Sequence, residues 1–243
     1  MTDAELARDI ADRAGVLLLA LRDTATGKAL GDDGDREANR LILALLAEAR
    51  PDDPVLSEER LCDGSRLDAH RVWIVDPLDG TREYGEGRDD WAVHIALAID
   101  GRAVEGAVAL PALGVTFATD APPPIAPVNA PLRMLVSRSR PAAEALAVAK
   151  ALGAALLPMG SAGAKAMAVV RGEADIYLHS GGQYEWDNCA PVAVAQAAGL
   201  HCSRIDGSPL TYNHQNPYLP DLLICRMELA DKVLRLVAHM DQG

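Results

Sequence analysis

The chain has 243 residues, 49% of them apolar and only 4% aromatic, so Ala, Val and Leu must fill a sizeable core, which suits an architecture of strands and small packed helices. The formal net charge of −12 lacks the Lys/Arg excess that displaces counterions from phosphates, which argues against a nucleic-acid partner, and no apolar run reaches membrane-spanning length. Cys62, Cys189, Cys202 and Cys225 form no C-x-x-C pair and read as reduced thiols of a cytoplasmic protein.

Leu6, Ile10, Leu17 and Leu21 share one helical face, so residues 3–22 are predicted helical. A Thr2/Glu5 capping box opens this acidic helix, which has none of the features of a signal peptide. "DTATGKALGDDGD" is predicted to be a loop, its glycines suggesting a mobile lid, with a second helix from about Asp35 to Arg50. "PVLSEE" and "RVWIVD" read as strands, followed by three more in "WAVHIALAID", "RAVEGAVALP" and "GVTFATD". "DAPPPIAPVNAP" concentrates prolines and is the candidate boundary between an N-terminal α+β part (1–128) and a C-terminal α/β part (129–243). Beyond it strands ("LRMLVS", "AALLPM", "ADIYLH", "LLICRM") alternate with helices ("PAAEALAVAKALG", "SAGAKAMAVVRG", "DNCAPVAVAQAAG", "ELADKVLRLVAHM"). Pro141 is expected in a first helical turn and Gly153 at a helix end. The order implies a largely parallel or mixed sheet flanked by helices.

The chemistry gathers at "WIVDPLDGT", residues 73–81. Asp76 is expected to close a buried strand, with Pro77 stopping the ladder because it lacks an N–H. Asp79-Gly80-Thr81 then resembles a helix start whose free N–H groups favour an anion such as phosphate. Oxygen ligands of this kind suit Mg²⁺, although D-P-x-D-G alone is equally a turn with an Asp cap. Glu58 and Glu59 end the preceding strand and Asp187 opens an Ala-rich helix. Singly these are a solvated turn and an N-cap, whereas together, in this order, they are hard to obtain by chance.

Glu58-Glu59, Asp76-Pro77-Leu78-Asp79-Gly80-Thr81 and Trp186-Asp187 resemble the pattern of the lithium-sensitive, magnesium-dependent phosphomonoesterases, the inositol monophosphatase-like family. "GSAGAKAMAV" and "EWDNCAP" are most similar to its CysQ-type 3′-phosphoadenosine-5′-phosphatases, the 3′(2′),5′-bisphosphate nucleotidases. The resemblance covers essentially the whole chain. It implies a layered αβαβα sandwich of the sugar-phosphatase type, combining α+β and α/β parts, a homodimer, and removal of the 3′-phosphate from adenosine 3′,5′-bisphosphate by metal-activated water. 3′-Phosphoadenylyl sulfate is a second substrate of that reading. The alternative is inositol-1-monophosphatase or fructose-1,6-bisphosphatase activity on the same site.

The resemblance also implies residue roles. Glu58, Asp76, the Leu78 carbonyl, Asp79 and Asp187 would hold two to three Mg²⁺. Thr81 with Asp35 would orient and deprotonate the water, with Glu58 beside them, and the Gly80 and Thr81 amides would meet phosphate. Gly160, Ser161, Ala162, Gly163 and Lys165 are candidates for the sugar edge and second phosphate, with Ser137, Arg138, His179 and Glu185 as further substrate contacts. Relatives often carry Ser/Thr-Pro-Val-Thr-x-x-Asp before the second helix, where this chain has "KALGDDGDREAN". Asp35 is chosen because it lies 23 residues before Glu58, with Asp32 and Asp33 as rivals and Lys28 as a cation that approaches phosphate. His70, His94, His201, His214 and His239 show no ligand spacing and read as structural or surface residues.

Overall fold

Side-chain alternation organises the first sheet. Along β2 (Arg71–Asp79), Val72 and Ile74 enter one core while Trp73 and Val75 enter another, as the two-residue period of a strand requires. The computed structural model describes residues 1–23, 27–59 and 64–240. Residues 24–26 of the expected loop, and Cys62 with its expected thiol, lie outside them. β2 pairs in parallel with β1 (Val55–Ser57) and antiparallel with β3 (Ala92–Ile99), which continues antiparallel to β4 (Arg102–Leu110) and β5 (Val115–Ala118). The order β1-β2-β3-β4-β5 makes a five-stranded mixed sheet.

On one face lie α1 (Asp3–Arg22) and α2 (Lys28–Ala49), whose Ile10, Leu18, Ile42 and Leu46 pack with Trp73, Val75 and Leu78. Thr2 and Glu5 cap α1 reciprocally, through Glu5 N–H to Thr2 Oγ1 at 3.2 Å and Thr2 N–H to Glu5 Oε2 at 2.7 Å. On the other face lie α5 (Ala162–Val170) and α6 (Glu185–Ala197), with Met167, Val169, Cys189 and Val194 in the largest core cluster. Beneath them runs the second mixed sheet, β6 (Arg133–Ser137), β7 (Ala155–Met159), β8 (Ile176–Tyr184), β9 (His201–Ser203) and β10 (Tyr218–Cys225), in the order β7-β6-β8-β10-β9. Its far face carries α4 (Ala143–Leu152) and α7 (Met227–Met240) through Val148, Val233 and Val237. The layers run helix, sheet, helix, sheet, helix, so the fold is an αβαβα sandwich. The segment between the sheets is fastened by the buried Asp175, whose carboxylate accepts from Asn129 N and Nδ2 and from Arg133 N at 2.8–3.1 Å.

Four expectations are corrected. First, α2 begins at Lys28, not near Asp35. Gly31 and Gly34 are contact notches in it, because a Cβ at 31 would stand 2.9 Å from Thr81 Cγ2 and one at 34 would stand 3.0 Å from Tyr84 Cε1. Residues 28–34 are therefore helix rather than a loop or lid. Second, β2 does not stop at Asp76 but runs to Asp79. Asp76 pairs with His94 and Asp79 with Ala92, so Pro77 and Leu78 both stand opposite Val93. That extra residue is a bulge, one of the few places where a strand accepts proline. Third, Pro141 precedes the α4 cap at Ala142, outside the helix. Fourth, β8 continues past His179 to Tyr184, through Gly181 and Gly182 at φ +94° and +97°, and β9 is a strand that periodicity does not show.

Candidate active site

The bulge aims the acids. Residues three apart on a regular strand face opposite sides, but the extra residue returns Asp79 to the side of Asp76, toward α5 and α6. Leu78, between them, is buried with α1 and α2. Asp187, in the first turn of α6, meets them from the second half of the chain. Asp76, Asp79 and Asp187 each offer an oxygen, and the three oxygens lie within 4.8 Å of one another. Glu58 follows β1, parallel to β2, and turns its carboxyl to Asp76.

These acids have sharply different surroundings. Burial raises Asp76 well above the ordinary carboxylate range, and the charges of Glu58, Asp79 and Asp187 add to it. Burial with Asp187 and Asp79 lifts Glu58 to about 7. Burial and Asp79 lift Asp187 to about 6, against the Tyr184 N–H that donates to it at 2.5 Å. Burial would raise Asp79 too, but His94, Ser161 and the Gly163 amide outweigh it and bring Asp79 down to about 2. Its carboxylate accepts from the Ser161 hydroxyl, from Ala162 N at 3.2 Å and from Gly163 N at 2.6 Å. The free amides that open α5 thus face Asp79, where the helix dipole favours negative charge.

Asp35 is 5% exposed and one helical turn beyond Gly31, so it shares the face of α2 that touches Thr81. Its Oδ1 is buried without a hydrogen-bond donor, and burial followed by Glu58, Glu59 and Asp32 raises it to about 8. Asp33 instead pairs with Arg36 at the surface. Asp35, Asp32, Lys28 and Thr81 line one cavity of about 620 Å³. Thr81 Oγ1 donates to the Leu78 carbonyl at 3.0 Å. Gly80, at φ +90°, opens α3 (Thr81–Gly85) and is wedged against Ser161 and Trp91, where a Cβ would approach to 3.2–3.3 Å.

The remaining candidates have definite partners. Lys165, 3% exposed, donates to the carbonyls of Gly160 and Ser161 and lies 5.3 Å over the Tyr177 ring. Burial lowers it to about 8 despite the pull of Asp79 and Glu83. Arg138 bridges Glu83 at 2.6 Å and Glu86 at 3.0 Å. Ser137 Oγ accepts from Arg140 N, and Gly160 N donates to Asp90. His179 Nε2 meets the Gly182 carbonyl at 3.0 Å, and burial lowers its pKa. Glu185 is fully buried and accepts from Asn213 N and from His214 N and Nδ1 at 2.7–2.8 Å, fixing the 213–214 segment.

Sequence reasoning passed over His94. It lies 0% exposed on β3, opposite Asp76. Its Nδ1–H donates to the Trp186 carbonyl at 3.0 Å, and its Nε2 lies 3.3 Å from Asp79 Oδ2, an ion-pair distance off the line of a hydrogen bond. Burial works against its charged form, but Asp79 raises its pKa. The available signal was a lone imidazole inside the apolar run "WAVHIALAI". Among hard oxygen donors, several crowded carboxylates and an undonated Asp35 oxygen, the chemistry fits a divalent cation.

Comparison with known proteins agrees. The model of the inositol monophosphatase family matches residues 20–239. The chain is 49% identical to the 3′-phosphoadenosine 5′-phosphate phosphatase of Mycobacterium leprae, across 100% of this chain and 96% of that protein. It is 53% identical to the Mycobacterium tuberculosis protein of the same name, across 86% and 82%. The crystal structure of CysQ from Bacteroides thetaiotaomicron superposes with a TM-score of 0.78 at 27% identity, over 92% of this chain and 97% of that one. Sequence match, whole-length relatives and shared layers lead to one conclusion: the chain belongs to the inositol monophosphatase family.

Proposed function

We propose that this protein is a Mg²⁺-dependent phosphomonoesterase that removes the 3′-phosphate of adenosine 3′,5′-bisphosphate. The convergence of Asp76, Asp79 and Asp187 on one point supports the chemistry, and the names of the mycobacterial relatives support the substrate. Glu58, Asp76, the Leu78 carbonyl, Asp79 and Asp187 would hold two to three Mg²⁺, with the division near the proline segment placing the last ligand in the C-terminal part. Bound cations supply positive charge for the phosphoryl oxygens and acidify a water. Asp35 takes the water proton, since its raised pKa suits a base near neutral pH. Thr81, which lines the same cavity, orients the water. The Gly80 and Thr81 amides receive phosphate. The nucleoside and its second phosphate take the segments around Ser137–Arg138, Gly160–Lys165 and His179, where Arg138 is a more exposed cation than Lys165.

The test is kcat/KM, with and without Mg²⁺, for adenosine 3′,5′-bisphosphate, inositol 1-phosphate and fructose 1,6-bisphosphate. Mg²⁺-dependent preference for the nucleotide is expected. Preference for inositol 1-phosphate would overturn the substrate, and phosphate release indifferent to Mg²⁺ would overturn the chemistry.

A further inference from the structure

His94 has no role in the steps above, yet its ring joins the segments that deliver the acids. Nε2 stands 3.3 Å from Asp79 of β2, and Nδ1 is bonded to the main chain of Trp186, the residue before Asp187 on α6. The start of α5 closes the third side. A Cβ on Gly163 would fall 2.0 Å from Nε2, so only glycine fits while the ring is in place. The same Gly163 donates its N–H to Asp79. Asp79 ends a strand and Asp187 opens a helix in the other half of the chain, and the imidazole is the rigid spacer between them. We propose that His94 is a positioning residue that fixes the separation of Asp79 and Asp187 and so sets the affinity of the site for its divalent cation. This rests on reading the acidic cluster as a cation site.

Groups that hold a metal's ligands in place typically contribute a factor of about 10–100 to its affinity. Calorimetric titration with Mg²⁺ of the wild type, His94→Ala and His94→Asn should show Kd rising by about 10–100-fold in both variants. The Mg²⁺ concentration for half-maximal turnover should rise in step, and His94→Gln, which keeps a donor within reach of Asp79, should recover part of the loss. A purely structural histidine would lower the melting temperature and leave Kd alone, so natively folded variants with wild-type Kd would overturn the inference. Where a variant fails to fold, the wild type still decides. In ring ¹H–¹⁵N spectra the His94 resonances should move as Mg²⁺ saturates, and resonances that do not move would overturn the inference. Wild-type protein that binds no Mg²⁺ would overturn the cation reading itself, a failure recognisable because it needs no variant.

Discussion

Asp79 and Asp35 are the same residue type, both more than nine-tenths buried at one site, and the fold treats them oppositely. Asp79 stands on a sheet strand with a hydroxyl, two amides and an imidazole around it, and stays ionised down to about pH 2. Asp35 stands on a helix, has an oxygen without a donor, and holds its proton up to about 8. Surrounding donors, not residue identity, separate a carboxylate held ionised from a carboxyl that keeps its proton near neutral pH.

If that contrast is right, Asp79→Asn should have the largest effect. Phosphate release should fall by more than the ~100-fold typical of losing a mere supporting group, with calorimetric Mg²⁺ affinity falling too. Asp35→Asn should lower kcat by about 10²–10⁴-fold, the usual worth of a general base, while leaving Mg²⁺ affinity within a few-fold. Equal loss of Mg²⁺ affinity in both variants would erase the distinction.

Proton linkage gives a third test. Asp35 rises from its ordinary 3.8 to about 8, so between those values the folded protein binds more protons than the unfolded chain. Stability without metal should therefore fall as pH rises across that window and level off above it. Asp79, lowered to about 2, adds no slope there. Melting temperatures at pH 5.5, 7 and 8.5 should show the decline, and saturating Mg²⁺ should flatten it, because cations favour the ionised acids. Mg²⁺ binding at pH 7 should correspondingly release protons, seen as a calorimetric enthalpy that changes with buffer. The smallest effect is expected from Gly31→Ala. The added methyl must move α2 off Thr81, and misplacement of about 1 Å can cost up to ~100-fold in turnover, with Mg²⁺ affinity unaltered. A variant with wild-type kcat would show that the Thr81–α2 contact is not needed for turnover.

Much of this molecule was legible in advance, for reasons that lie in particular residues. The layers follow from periodicity: Leu6 and Ile10 mark the buried face of α1, though Leu18 rather than Leu17 carries it on, and the apolar stretches of β3 and of the second half of β4 mark strands buried on both faces. The acids at 76, 79 and 187 stand out because charge is costly at the ends of apolar segments. Other features depend on what lies across the interface. Gly31 and Gly34 look like helix breakers until Thr81 and Tyr84 are seen against them. Pro77 looks like a strand terminator until its partner strand is known. His94 looks inert until Asp79 and Trp186 close around it. Lys165 and Glu185 look like open contacts, but carbonyls and the 213–214 segment hold them.

The doubled residue opposite Val93 acts as a phase correction in the reading of a strand. Deleting either Pro77 or Leu78 would restore strict alternation. Asp79 would then stand two residues after Asp76 and keep its side of the sheet, but deleting Leu78 would remove one buried aliphatic anchor, worth roughly 1.5–3 kcal/mol, and the carbonyl that accepts from the Thr81 hydroxyl. The doubled residue thus lets four consecutive positions send two acids to one layer and an aliphatic anchor to the other.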